Sequence, residues 1–167
     1  MLANKVFLEI LMIGCGILGL IGVIMGVREW WVLRKIAALP LDAFPIKKTT
    51  FCQLVVDWCH EHISHKNTRK PNVILSYYPH KKRSGVYTSR SHECVIYVNN
   101  HQNVLNVTNT VIHEYVHARQ KNKDFDSLYT RYQREIGYEN NPFEIEARKV
   151  ANKYEKECLL WICQQMK

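Results

Sequence analysis

The sequence predicts an α+β fold, and three observations support that prediction. The chain has 167 residues, enough for one domain with a substantial core. Apolar residues recur at helical spacing in residues 50–62, 107–116 and 141–164. Between the first two of these segments lie three short runs rich in β-branched and aromatic residues, which are typical of strands. We therefore expect a small sheet packed among helices.

The first segment of the chain predicts a membrane anchor. Residues 6–27 are apolar except for Glu9, and a helix of that length spans about 33 Å, which matches the hydrocarbon core of a bilayer. A lipoprotein signal at Cys15 and a cleaved signal peptide fit less well, because the apolar run continues past Cys15 without a small-residue cleavage site. A buried core helix rarely runs so long without polar residues. The segment therefore predicts an uncleaved, single transmembrane helix.

This anchor sets the expected domain boundaries. It takes residues 1–29, and residues 30–48, interrupted by Pro40 and Pro45, form a juxtamembrane linker. The folded domain then covers residues 49–167. Because more cations follow the anchor than precede it, the positive-inside rule places that domain in the cytoplasm. Its cysteines show no CxxC pair or regular spacing, which favours free thiols in a reducing compartment.

The formal net charge of +8 raises the question of an anionic partner. The cations are dispersed over several elements, so we expect no nucleic-acid partner. Two basic runs, residues 66–70 and 80–83, would each gain about 1 kcal/mol per cation from anionic headgroups if they face a bilayer. Solvated basic loops explain the same runs equally well.

Three strands are expected between the first two helices of the domain. They are residues 73–78, 86–90 and 94–99, and the polar turns between them predict an antiparallel meander. The expected helix caps are Thr49 or Thr50 for the first helix and Asn103 or Asn106 for the second.

Two further helices are expected in the last part of the chain. Residues 126–136 predict a short helix that stops at Gly137. The final helix opens with Asn141 as its cap and Pro142 at the first helical position, and it runs to about Gln164. Its buried side is expected to carry Tyr154, Cys158, Trp161 and Ile162.

The second predicted helix contains the pattern H-E-x-x-H. His113 and His117 are four residues apart, so both imidazoles lie on one face of a helix, where they can bind one metal ion. Glu114 projects beside that face and can act as the general base of a hydrolysis. Chance alone gives this pattern in roughly one or two per cent of such sequences, so a third ligand is the deciding feature.

The final helix supplies a carboxylate for this site. Glu144 lies one turn inside the helix, where it can complete a site of two histidines and a carboxylate. The alternative for Glu144 is a capping box, in which its carboxylate bonds back to the backbone N–H of Asn141. The upstream histidines favour the ligand. Glu146 is the second choice. It lies two residues further along the helix and so points about 200° away from Glu144, which means that only one of the two carboxylates can face the histidines.

The pattern H-E-x-x-H, followed by a helix with N-P-x-E-x-E-A, resembles the gluzincin clan of zinc metallopeptidases. The small size is similar to the clan's minigluzincin domains, and the resemblance covers about residues 50–167. It implies a helix, a short antiparallel sheet and two metal-binding helices. It also implies that Zn²⁺ is bound by His113, His117 and Glu144, that Glu114 is catalytic, and that the substrate is a protein or peptide.

One residue departs from that family's pattern. Many gluzincins carry an aspartate or asparagine four residues after the glutamate ligand, whereas this chain has Arg148. The hydrogen bonds that orient the histidines must then come from elsewhere, such as Glu146 or a backbone carbonyl. By the same resemblance, residues 94–99 form a sheet edge on which a substrate pairs, although a plain core strand satisfies that pattern too.

Other polar residues fit weaker hypotheses. Tyrosines between the two metal helices either stabilise an oxyanion or simply pack, and the candidates are Tyr129, Tyr132 and Tyr138. Three further histidines do not converge at helical spacing: His60, His62 and His65. Two other functions remain open, a metal-binding regulatory module without catalysis and a membrane adaptor without metal.

Overall fold

The computed structural model describes residues 31–65 and 67–166. These residues form helices and a three-stranded sheet, joined by loops. In chain order the elements are α1 (Lys48–His62), β1 (Asn72–Ser76), β2 (Gly85–Thr88), β3 (Glu93–Tyr97), α2 (Val104–Gln120), α3 (Phe125–Asn140) and α4 (Pro142–Gln165). Residues 31–37 are also helical, and Leu41–Ala43 form a 3-10 turn. The predicted α+β class is confirmed.

The chain divides into two units, Met1–Ile36 and Ala37–Lys167, and the second contains every labelled element. Among the described residues, no helix combines the length and apolar character needed to cross a bilayer. The anchor expected over residues 1–29 lies outside the described residues. The anchor, its orientation and the placement of the domain in the cytoplasm therefore stay predictions.

The order of the strands differs from the predicted meander. Strand β3 lies in the centre of the sheet, between β1 and β2. The β2–β3 hairpin is antiparallel as expected, with Gly85 opposite Ile96. Strand β1, however, runs parallel to β3, with Asn72 opposite Glu93. The meander prediction is therefore wrong, and β2 rather than β3 forms an edge of the sheet.

Two asparagines after β3 explain why β1 lies on the far side of that strand. The side-chain amide of Asn99 donates to the carbonyl of Tyr77 at 2.5 Å, and that of Asn100 donates to the carbonyls of His80 and Arg83 at 2.6 Å each. These bonds hold the β1–β2 connection, residues 77–84, across the end of β3. Asn99, which the sequence placed inside a strand, instead belongs to a 3-10 turn, Val98–Asn100.

Helix α2 lies at the centre of the domain, in contact with α1, α4, β2 and β3. Its cap is Asn103, whose side chain accepts from the backbone N–H of Asn106 at 2.9 Å, so one of the two expected caps is confirmed. For α1 the expected threonine caps are wrong. The helix already begins at Lys48, which forms an ion pair with Asp42 at 2.6 Å and so fixes an earlier start.

Helix α4 approaches α2 closely because two small residues face it. Ala147 and Ala151 are fully buried and leave room for the partner helix. Of the side chains expected on the buried side of α4, Cys158 and Ile162 are fully buried, while Tyr154 and Trp161 are half-buried. The described cysteines are all free thiols, as predicted: Cys52, Cys59, Cys94, Cys158 and Cys163.

Candidate metal centre

The fold brings together the three predicted ligands, two from α2 and one from α4. Nε2 of His113 lies 3.1 Å from Nε2 of His117. The carboxylate of Glu144 lies 3.0 Å from His113 through Oε2 and 3.3 Å from His117 through Oε1. The three ligand atoms chosen from these side chains lie within 4.8 Å of one another. His113, His117 and Glu144 therefore form a group that could hold a metal ion.

The electrostatics of this group favour a bound cation. Glu144 is 2% exposed and Glu114 is 6% exposed. In the described chain neither carboxylate forms an ion pair with a lysine or arginine. Oε2 of Glu144 is buried, and the imidazole of His113 at 3.0 Å is its polar neighbour. Two buried carboxylates without a permanent positive partner are unfavourable, and a divalent ion between the ligands would neutralise them.

The protonation equilibria of the same side chains follow from this arrangement. Burial raises the pKa of Glu144, but hydrogen bonds from His113 and His117 outweigh it and hold that pKa well below its usual range. Burial lowers the pKa of His117, yet the hydrogen bond to Glu144 and the nearby carboxylate charges raise it overall. Each partner thus stabilises the other as an ion pair, so the site already favours positive charge beside Glu144.

Glu144 does not form the capping box that was its alternative. Asn141 caps α4 with its own side chain, which accepts from the backbone N–H of Phe143 at 3.1 Å. The backbone N–H of Asn141 instead donates to the carbonyl of Tyr138 at 3.2 Å. Pro142 sits at the start of the helix, as predicted. The carboxylate of Glu144 is therefore left to face the histidines.

A residue that the sequence did not suggest orients His117. Oε1 of Gln120 lies 2.9 Å from Nδ1 of His117. An amide oxygen can only accept, so Nδ1 carries the proton and Nε2 faces the metal position. Gln120 is itself fixed by donating to the carbonyl of Phe143 at 3.1 Å and to Oε2 of Glu146 at 2.9 Å. The i, i+3 spacing of His117 and Gln120 on one helix could have indicated this contact.

Glu146 therefore supports the site from outside it. Its Oε1 accepts from Arg119 at 2.5 Å, and its Oε2 holds Gln120. It is absent from the group that could hold a metal, so Glu144 rather than Glu146 is the carboxylate among the ligands. The expected support from Glu146 is present, but it reaches His117 through the amide of Gln120.

Two of the three candidate tyrosines reach Glu144. The hydroxyl of Tyr129 donates to Oε1 of Glu144 at 2.5 Å. Burial and the nearby carboxylate of Glu144 raise the pKa of the Tyr138 hydroxyl. Tyr138 reaches the site because Gly137, with φ of 79°, breaks α3 and turns the next residue back. Tyr132 packs against Phe143, with ring centroids 6.1 Å apart.

The side chain of Glu114 projects from α2 towards the edge strand β2. Burial raises its pKa, while His117, His113 and the backbone N–H of Tyr87 lower it. The strand comes this close because residue 85 is glycine. A Cβ atom on Gly85 would lie 2.7 Å from Cγ2 of Thr110 and 2.9 Å from Cγ of Glu114. Gly85 therefore allows the edge of the sheet to lie against the predicted catalytic carboxylate.

The ligands open onto a cleft of about 830 Å³. One wall is β2 with Gly85, Val86 and Tyr87, and the other includes Tyr129 and Tyr138 from α3. A concave site of this size, with buried polar groups at its floor, is large enough to enclose several residues of a peptide or a small molecule.

Arg148 also lines the cleft, but it does not support the histidines. It donates to the backbone carbonyl of Glu139 at 2.5 Å and lies 5.7 Å from the centre of the Tyr138 ring. The three histidines that were predicted not to converge are not part of the candidate metal-binding group. His60 contacts Tyr115, and His62 stacks on Trp58. His65 is exposed.

Comparisons of this chain with known protein families, with curated proteins and with solved structures gave no match. The chemistry of the site is therefore inferred from its own atoms.

Proposed function

We propose that this chain is a zinc-dependent metallopeptidase of the gluzincin type, with a minigluzincin-like domain that hydrolyses peptide bonds. The observation that carries the proposal is the convergence of His113, His117 and Glu144 beside Glu114 at the floor of an open cleft. A ligand group alone would suit a structural metal. An adjacent buried carboxylate and an open cleft are what a hydrolytic site requires.

Zinc is the ion that the ligands suit best. Two imidazoles and one carboxylate are a donor set of catalytic zinc sites, which leave one position open. Zinc bonds of about 2.0–2.1 Å at tetrahedral angles separate neighbouring ligand atoms by about 3.3 Å. The two imidazole nitrogens lie 3.1 Å apart, but Glu144 approaches His113 through Oε2 and His117 through Oε1. Taken one from each residue, the ligand atoms lie within 4.8 Å of one another, so the carboxylate would have to turn to place one oxygen on the ion.

Catalysis then depends on where each side chain lies. A bound zinc ion supplies a Lewis acid that lowers the pKa of water towards about 7 and polarises a carbonyl group. Glu114 accepts the proton of the attacking water and donates it to the leaving amine. Burial raises the pKa of Glu114, which brings this carboxylate closer to the range in which it can both accept and release a proton.

The edge strand favours a peptide as the substrate. Among the described strands β2 pairs with β3 alone, and it lines the cleft with Gly85 to Tyr87. Its free edge can pair with an extended peptide through main-chain hydrogen bonds, a role that the sequence had assigned to residues 94–99. Tyr138, 44% exposed in the opposite wall, is the phenol best placed to donate a hydrogen bond to a developing oxyanion.

The membrane location is proposed from the sequence alone. A helix over residues 6–27 would hold the domain at a bilayer and limit its substrates to those that reach it there. Resistance of the full chain to extraction at high pH, with the C-terminus shielded from external protease in intact cells, would support this placement. Release at high pH would overturn it.

The proposed function is tested with the full chain by metal analysis and by cleavage of a peptide library. We expect one zinc per chain, loss of the metal in His113→Ala and Glu144→Ala, and peptide cleavage that a chelator abolishes. Glu114→Gln should keep the metal and the fold but lose about two to four orders of magnitude in rate, because the amide cannot accept the proton. Glu157→Gln, which removes an exposed charge elsewhere on α4, is the matched control.

Two outcomes would count against the proposal. A fully zinc-loaded wild-type chain that cleaves nothing would indicate a regulatory metal-binding module. Equal cleavage by the wild type and Glu114→Gln would show that the activity comes from another site or from a contaminant.

A further inference from the structure

A second concavity, of about 610 Å³, lies beside the C-terminal end of α2 and shares no lining residue with the metal cleft. Its described lining comes from three segments: residues 65 and 67–69 after α1, residues 90–92 between β2 and β3, and residues 118, 119 and 121 at the end of α2. We call it the basic pocket, because its charged lining residues are cationic: Arg69, Arg90, Arg119 and Lys121. Among the described residues, no aspartate or glutamate lines it.

Two of these cations are already used by the fold. Arg119 is 10% exposed and donates to the carbonyl of Ile63 at 3.1 Å and to Glu146 at 2.5 Å. The ammonium group of Lys121 donates to the carbonyl of Ser89. Arg69 and Arg90 are exposed, and neither forms an ion pair within residues 31–65 and 67–166. Their guanidinium groups are therefore available to an external anion.

The wall of the basic pocket is held in place by His92. This residue has φ of 58°, a left-handed conformation that is unfavourable for a residue with a side chain. Both ring nitrogens are used: Nδ1 lies 2.7 Å from the hydroxyl of Tyr87, and Nε2 lies 3.0 Å from the carbonyl of Arg69. His92 thus clamps the backbone of Arg69 onto the turn that carries Arg90. The two arginines are held on neighbouring segments before any ligand arrives.

We propose that the basic pocket binds a phosphate group through Arg69 and Arg90. The planar guanidinium fork matches the oxygen atoms of phosphate and can bind them in pairs. Asn67, Thr68 and Ser91 also line the pocket and offer neutral donors to the remaining oxygens. The phosphate can be free in solution or part of an anionic lipid headgroup, since both present the same group.

The shape of the pocket favours a compact phosphate over a nucleic acid. The cations face one concavity from three separate segments. A nucleic-acid backbone instead requires cations spread along a stripe that follows the phosphates. A concavity of about 610 Å³ is a suitable size for a single headgroup or small phosphate compound.

The test uses the full chain and compares wild type with the double variant Arg69→Gln/Arg90→Gln. Inorganic phosphate is titrated by calorimetry, and liposomes of phosphatidylcholine with or without phosphatidic acid, a phosphomonoester, are compared by co-sedimentation. Each charge-assisted contact typically contributes about tenfold or more in affinity, so the double variant should bind phosphate about a hundredfold more weakly. The control variant is Lys149→Gln/Lys156→Gln, which removes the same charge from exposed positions of α4.

The two sources of phosphate give different results. Loss of phosphatidic-acid-dependent liposome binding in the double variant alone points to a lipid headgroup. Loss of phosphate binding without any effect on liposome binding points to a soluble compound. Three results would overturn the proposal: no saturable phosphate binding by the wild type, equal weakening in the control variant, or stronger arginine-dependent binding to a single-stranded oligonucleotide than to any phosphate probe.

Discussion

Replacing Gln120 with leucine removes the acceptor that orients His117, and we expect zinc affinity to fall about tenfold. Loss of such outer contacts typically costs about 10–100-fold in metal affinity. We expect the low end of this range because the His117 ring loses only one hydrogen bond, of 2.9 Å. The His117 ring also stays in contact with the rings of Phe125 and Tyr129, with centroids 6.2 and 5.9 Å away. A tenfold change corresponds to about 1.4 kcal/mol, which is near the net contribution of a single hydrogen bond.

Competition with a fluorescent chelator measures this affinity directly, and Gln53→Leu is the matched control. Gln53 donates a side-chain hydrogen bond to Asp57 at 2.9 Å and lies on α1, outside the candidate metal centre. A second variant, Gln120→Glu, separates the two roles of this side chain. Its carboxylate can still accept from His117, so zinc affinity should persist, while repulsion from Glu146 should lower the stability. A zinc affinity of Gln120→Leu within about twofold of wild type would refute the assigned role.

Two other predictions concern the packing behind the site. Gly85→Ala should destabilise the domain by about 1–3 kcal/mol, because its Cβ would lie 2.7 Å from Thr110 and 2.9 Å from Glu114. Thermal unfolding measures the loss of stability. The double variant Gly85→Ala/Thr110→Ser should recover part of it, because serine lacks the methyl group that the new Cβ would meet. A single variant as stable as the wild type would contradict the close approach of β2 to α2. At mildly alkaline pH, iodoacetamide should leave four fully buried thiols unlabelled until the chain unfolds. Burial raises the pKa of Cys52 to about 12, and it also raises the pKa values of Cys59, Cys94 and Cys158. Mass spectrometry identifies the labelled residues. Rapid labelling of Cys52, Cys59, Cys94 or Cys158 in the native chain would show that the core opens.

The group of candidate metal ligands could be predicted from the sequence because local geometry determines most of its arrangement. His113 and His117 share a helical face by spacing alone. Glu144 required one more step, the recognition that Asn141 and Pro142 begin a second helix. That start fixes where Glu144 lies on the helix, and the small residues Ala147 and Ala151 then let it approach α2.

The sheet order could not be predicted in the same way, because it depends on contacts between distant residues. The strands themselves have local signatures, and so does the β2–β3 hairpin. Whether β1 lies beside β2 or β3 depends on where residues 77–84 are held, and Asn99 and Asn100 decide that with their side chains. Amide groups in polar turns have many possible partners, and the sequence does not distinguish among them.

The candidate site combines several features that reduce stability, and their combination is an argument for function. Glu144 and Glu114 are buried side by side with two imidazoles, where an apolar core would be more stable. Gly85 weakens an edge strand so that it can approach Glu114, and Gly137 breaks α3 so that Tyr138 reaches Glu144. Each feature costs stability separately, yet all of them are directed at the same few atoms. A fold held only by packing has no need for that coincidence, whereas the proposed metal-dependent hydrolytic site would use these features together.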